Sequence, residues 1–306
     1  MNTLAAQLHA FASGFPILRA ITIRLALCAL LAVALIGCGG NDDEFDSETQ
    51  ARIDALVAEW RELIADAEAN LDNERYGHII MELMQLGYSD FSPMIEVLED
   101  PDSDIYARIA ASNSLGVALP YDEDGSLITN RLTPLAAPDH DPVTRAIVLQ
   151  LLADGQPARF VDLFRTHRDD PDMRVRLACF SGLVQAGESE GVEAVLELLH
   201  APDTPIQGRD WAVQTLLEGP PLEDMTPLVE AMSDVDLSES TRRAAILAVG
   251  RSGDPAHLDA LHALAASGTL TDPLQLAVDT AITALEEQAA ADANAETAAD
   301  AEDAAE

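Results

Sequence analysis

The groups in this 306-residue chain able to act as nucleophiles, acid–base catalysts or metal ligands are few in kind and scattered. Past residue 38 the histidines are His78, His140, His167, His200, His257 and His262. Two metal ligands that share one helical face stand three or four residues apart. His257 and His262 are five apart, and the others are far from one another. The three cysteines are Cys28, Cys38 and Cys179. Cys179 sits in the apolar run Leu177, Ala178, Phe180, where a thiol serves as a small buried hydrophobe. No Gly-rich phosphate loop, Gly-x-Ser-x-Gly elbow or zinc-type cysteine spacing occurs. Carboxylate pairs abound, but with 54 acids their proximity carries no information. The segment Pro120-Tyr121-Asp122-Glu123-Asp124-Gly125-Ser126 has the acids of a calcium loop only as far as Asp124. A full loop needs ligands spread over about 12 residues. We read it as an ordinary turn, and we expect no catalytic residue, no metal and no cofactor.

The positions of the cysteines lead to the N-terminus. Arg19 and Arg24 precede an apolar run from Leu25 to Ile36, 12 residues, where a membrane span needs roughly 20. This is the core of a signal peptide. It ends in Leu35-Ile36-Gly37-Cys38, which resembles the lipobox of bacterial lipoproteins. The resemblance implies a signal peptide over 1–37, diacylation of Cys38 as the first mature residue, and a polar tether over 38–46. A conventional cleaved signal or a single anchor helix is the alternative. Gly39 is not the Asp that retains lipoproteins at the inner membrane in some bacteria, so the expected place is the extracytoplasmic face of the envelope, with the outer membrane favoured over the inner. Nine residues at roughly 3.5 Å each hold the body within roughly 30 Å of the bilayer.

The charge balance excludes one class of partner. There are 54 acids against 17 bases, all of them Arg, for a formal charge of −37, and loss of residues 1–37 takes away two Arg and no acid, giving −39. Such a surface repels phosphate, so no nucleic acid is expected. It stands off anionic lipid and favours a cationic protein, or hydration alone. Aromatics are 4% and the apolar 48% is mostly Ala, Leu, Val and Ile, which predicts helix packed on helix.

An arginine recurs in register: Arg108, Arg145, Arg176, Arg209, Arg242 and, in the last copy, Gln275, with spacings of 37, 31, 33, 33 and 33. Three residues beyond come Ala111, Val148, Cys179, Ala212, Ala245 and Val278, and seven beyond come Leu115, Leu152, Leu183, Leu216, Val249 and Ile282, all on one helical face. Four residues before stand Asp104, Asp141, Asp172, Pro205, Ser238 and Thr271, of which five are good N-caps. Each first helix ends at a break such as Gly155-Gln156-Pro157, Gly187, Gly219-Pro220-Pro221 or Gly253-Asp254-Pro255, and a second apolar helix follows.

Helix pairs of about 33 residues, with segments such as Asp170-Pro171-Asp172-Met173-Arg174-Val175-Arg176-Leu177-Ala178, resemble HEAT repeats of the short kind first named for phycobilisome lyases. The resemblance covers residues 73–286. It implies an all-α, right-handed α-solenoid, preceded by one long amphipathic helix, in which the Arg residues form a structural ladder with acids or helix ends of the adjoining repeat. It does not carry over the activity of the HEAT-type di-iron hydroxylase, whose His-Glu ligand pairs are absent from this sequence.

The expected organisation is therefore a capping helix over 47–71, an array of about five to six repeats over 72–286, and an acidic, Ala-rich tail over 287–306 that is largely disordered. Ser47-Glu48-Thr49-Gln50 reads as the capping box of the first helix, whose stripe Ile53, Leu56, Val57, Trp60, Leu63, Ile64 and Ala67 covers the first repeat. A coiled-coil dimer seam through Trp60 is the alternative; a monomer is expected. Three functions stand: a non-enzymatic scaffold binding protein partners, a cofactor or bilin lyase or chaperone of the kind that names the repeat, and an acidic envelope protein that buffers divalent ions. The first needs no site chemistry and is preferred.

Overall fold

The computed structural model describes residues 45–303 apart from 71–73, 123, 126 and 223, with side chains as far as residue 291. The signal peptide, Leu35, Ile36, Gly37 and Cys38 lie outside the described residues, as does most of the tether. The described chain is all-helical. It divides into two compact units, one ending at Ala186 and the other beginning at Gly187, inside the segment read from the sequence as one array.

The first unit opens with α1 (Ser47–Ile64), α2 (Ala67–Asn70), α3 (Arg75–Gln85) and α4 (Ser92–Glu99). The N-cap of α1 is Asp46, not Ser47: its carboxylate accepts the backbone N–H groups of Glu48 and Thr49 and the Thr49 hydroxyl. A carboxylate suits the positive end of a helix dipole and can take three donors at once, which a serine hydroxyl cannot. The helix closes at Ala65 instead of running on to residue 71, and the turn into α2 drops Ala67 into the core. Trp60, 1% exposed, packs within the chain and donates its indole N–H to Ser114 Oγ at 2.8 Å, so its face is not free to serve as a dimer seam. Arg52 pairs with Glu82 and Arg75 with Glu59, tying α1 to α3.

The unit continues with α5 (Ile105–Ala118), α6 (Thr129–Leu132), α7 (Pro142–Gly155), α8 (Val161–His167) and α9 (Met173–Gln185). The Arg-bearing helices α5, α7 and α9 pack side by side in chain order, with α3 against α5, while α4 and α8 pack on α5 and α9. Their inner faces hold Ile109, Leu115, Val148, Leu152, Val175, Cys179 and Leu183, all buried. Gly182 lets α8 approach α9: a Cβ there would meet the Phe164 ring at 2.5 Å.

The second unit comprises α10 (Ser189–His200), α11 (Ile206–Glu218), α12 (Thr226–Ser233), α13 (Glu239–Arg251), α14 (Leu258–Ala266) and α15 (Asp272–Asp303). Here α11, α13 and α15 pack in chain order, with α10, α12 and α14 against α11, α13 and α15. At Gly250 a Cβ would lie 2.6 Å from the Ala281 Cα, so α13 and α15 are in backbone contact. Helix α15 runs to Asp303, through the segment expected to be disordered. Alanine is the best helix former and Glu is a good one, so the extension follows from composition even though carboxylates at a helix C-terminus oppose its dipole.

Candidate functional site

The recurring arginines and the loops that receive them are the most developed polar feature of the fold, and four of the six are held by the same local device. Asp104, Asp141, Asp172 and Ser238 accept backbone N–H groups at the first turns of α5, α7, α9 and α13. Pro205 precedes α11 with no side-chain cap, and Thr271 precedes α15 but donates its hydroxyl to Glu239 at 2.6 Å. The caps fix where each helix begins, and therefore the turn of helix on which the arginine falls.

Arg108 donates from Nη1 to Asp141 Oδ2 at 3.0 Å, reaching the N-cap of the next repeat, and from Nη2 to the carbonyls of Asp100 and Pro101. Arg145, 4% exposed, pairs with both oxygens of Asp170, itself 9% exposed. Arg176 donates to the carbonyls of Asp170 at 2.6 Å and Pro171 at 3.1 Å, and to Met173 Sδ. In the second unit Arg209 donates to Asp234 Oδ2 at 2.9 Å and lies 3.6 Å from Asp236. Arg242 donates from Nε to the Met232 carbonyl, and Gln275 reaches only Asp279 on its own helix. Asp170 thus holds two successive arginines, Arg145 on its carboxylate and Arg176 on its carbonyl. Asp170 and Asp234 each lie 25 residues beyond the arginine they bind. That non-local acceptor is what inspection of the N-caps missed; the spacing was present in the sequence as the signal.

Further side chains are equally committed to holding backbone. Asp122, 1% exposed, accepts the N–H groups of Leu127, Ile128 and Thr129 at 3.0, 3.0 and 2.7 Å, capping α6. Burial pushes its pKa upward, but these hydrogen bonds to the ionised form outweigh it and leave the pKa below the ordinary 3.8. The loop is a turn whose first acid is consumed by the protein's own amides. Its backbone is pinned from outside by Gln156, donating to the carbonyls of Leu119 and Asp122, and by Arg159, donating to those of Asp122 and Asp124. Asp141 is likewise lowered, against its burial, by Thr144, Arg108 and Val143. Asp172 is lowered chiefly by hydrogen bonding to Arg174 at 2.8 Å. Cys179 is buried, and desolvation raises its thiol to about 12, which removes the thiolate needed for nucleophilic chemistry. Among the described residues no group of three or more His, Cys, Asp or Glu side chains could hold a metal ion, and no helix is long and apolar enough to cross a membrane.

The second helices carry a different kind of polar group. Glu96 on α4, Asp162 on α8, Glu193 and Glu197 on α10, Glu230 on α12 and Asp259 on α14 are all exposed. Three helix pairs, α7 with α8, α11 with α12 and α13 with α14, therefore combine an arginine turned to structural use with a carboxylate left on the surface. No protein-family model matches this chain, and no curated protein is significantly similar to it.

Proposed function

We propose that this chain is a non-enzymatic binding scaffold, a HEAT-like α-solenoid held to the cell envelope through a lipid on Cys38, which engages cationic protein partners. The observation that carries the reading is the division of labour among its polar residues. The ladder arginines, Asp122 and Cys179 are spent on holding backbone or neighbouring carboxylates, or are buried. The carboxylates on five of the second helices, α4, α8, α10, α12 and α14, remain in solvent. A binding surface needs repetition and charge, and these are what the sequence supplies. Stacking of the Arg-bearing helices in chain order within each unit supports the solenoid, since helix pairs in such an array contact their sequence neighbours. The lipobox resemblance of Leu35, Ile36, Gly37 and Cys38 supports the anchor and the envelope location.

The test is in-cell crosslinking of the full-length chain with mass spectrometry. It is repeated on a variant in which Glu96, Asp162, Glu193, Glu197, Glu230 and Asp259 become Gln or Asn. A reproducible partner that is lost in the variant supports the reading, and a partner that survives it moves the binding surface elsewhere. No partner at all refutes the scaffold.

A further inference from the structure

Helix α15 buries one face and leaves the other bare. Leu274, Ala277, Val278, Ala281 and Leu285 are buried, where the helix packs on α13 and α14. On the opposite side Leu276, Thr280, Thr283 and Glu287 follow at spacings of four, three and four, all exposed, with Leu276 at 68%. A hollow of about 420 Å³ lies along this side, lined by Asp279, Thr280, Thr283, Ala284 and Glu287. Earlier helices show what the same positions do when another helix follows. Gln150 and Ala153, five and eight residues past Arg145, are buried, and Gln150 donates to Ser181 on α9. Gly250, eight residues past Arg242, meets α15 itself. Five and eight residues past Gln275 stand Thr280 and Thr283, in solvent.

The charges select what can cover this face. Along one edge of it Asp272, Asp279 and Glu286 recur every seven residues, about two turns of helix. All three are exposed, and among the described residues none pairs with a base; the Asp279 carboxylate accepts only the Gln275 amide, at 2.9 Å. From Asp272 to Asp303 there are nine acids and no base. A second copy offering the same face would set carboxylate against carboxylate with nothing to pair them. Residues 38–44 bring Asp42, Asp43 and Glu44 and no base, so they are repelled as well. A helix with bases at a seven-residue spacing, flanking an apolar stripe, matches both the row of acids and the exposed leucine.

We propose that the outer face of α15 docks a basic amphipathic helix of the partner, its apolar stripe over Leu276 and Ala284 and its lysines or arginines on Asp272, Asp279 and Glu286. That helix takes beside α15 the place that α15 takes beside α13. This rests on the scaffold reading and gives the partner's segment a form and a seat apart from the carboxylates of the second helices.

The probe is a fluorescent peptide of three Leu-Ala-Ala-Leu-Lys-Ala-Lys heptads, titrated by anisotropy with the chain from residue 38 onward, left unlipidated by Cys38→Ser. The expected result is saturable binding that weakens as salt is raised, is lost when every Lys is replaced by Glu, and is about tenfold weaker or more for a scrambled peptide of the same charge. Leu276→Asp, and the combined variant Asp272→Asn, Asp279→Asn, Glu286→Gln, should each weaken it by about tenfold while the helical circular dichroism spectrum is kept, because these side chains are exposed. Equal binding of the scrambled peptide, or unchanged affinity in either variant, overturns the inference. So does a concentration-dependent dimer in sedimentation that Leu276→Asp abolishes, since a second copy then covers the face. A crosslinked partner that persists in Leu276→Asp removes this face and leaves the scaffold standing, whereas no crosslinked partner in the unaltered chain removes both.

Discussion

Replacing Arg145 with Met keeps an aliphatic stem of similar reach and deletes the guanidinium, leaving Asp170 ionised at 9% exposure. Of its partners only the Asp172 N–H, 2.9 Å from Oδ1, would remain. Removing one member of a buried ion pair costs about 3–5 kcal/mol. The surviving N–H brings the expectation to the lower end, about 3 kcal/mol at pH 7. The matching substitution in the second unit, Arg209→Met, breaks a pair whose side chains are 24% and 30% exposed, and should cost only about 0–1 kcal/mol. Urea denaturation separates the two cases, because Trp60 lies in the first unit and Trp211 in the second. Trp211→Phe leaves Trp60 to report on the first unit, and Trp60→Phe leaves Trp211 to report on the second; each transition is then fitted on its own. Equal losses at the two arginines, or a loss below about 1 kcal/mol at Arg145, would overturn the view that burial sets the worth of each rung.

Other outcomes are expected from the same geometry. Arg176→Ala should lower the thermal midpoint of the first unit, since the guanidinium closes the Asp170 and Pro171 carbonyls; an unchanged midpoint in calorimetry would remove it from the ladder. Asp122→Asn places an amide where three backbone N–H groups converge and should destabilise by about 1–3 kcal/mol in urea titrations. Because the folded pKa of Asp122 is depressed, its contribution is complete above the unfolded value near 3.8 and is lost as pH falls from there through the folded value, so the gap between wild type and Asp122→Asn should close in that window. For His167 the folded pKa is lowered, so protonation favours the unfolded chain, and stability should fall as pH drops below about 6.5 and level off above it; His167→Asn should flatten that slope. Cys38→Ser should abolish incorporation of an alkyne-tagged fatty acid and release the chain from the membrane fraction, and retained labelling would refute the anchor.

The parts of this fold governed by neighbours in sequence were open to reading from the sequence. Asp104, Asp141, Asp172 and Ser238 cap the helices they precede because a cap is a contact over two or three residues. The second helices lie where the apolar runs around Phe164, Val195, Leu228 and Leu261 put them. Between Asp46 and Ser47 the residue types do not discriminate, since both are strong caps, and the choice is made by Thr49 folding back on Asp46. The role of Asp170 and Asp234 could not be read from any one repeat, because their arginines come from the repeat before. Asp122 escaped for a different reason: the N–H groups it accepts, on Leu127, Ile128 and Thr129, lie beyond the two- or three-residue reach of a simple cap. A carboxylate destined for burial looks, in a chain with 54 acids, like any other.

The double use of Asp170 gives the two edges of the repeats in the first unit unequal freedom in evolution. One residue added to the turn that holds Asp170 would slide its carboxylate and its carbonyl out of reach of both arginines together, so that edge is closed to changes of length. Among the described residues of the opposite edge none holds two ladder arginines, and there the wider spacing of 37 between Arg108 and Arg145 is accommodated, in the loop around Asp122. New loops, tags or inserted domains should be accepted along that edge and rejected along the other, and homologous chains should vary in length on one side only.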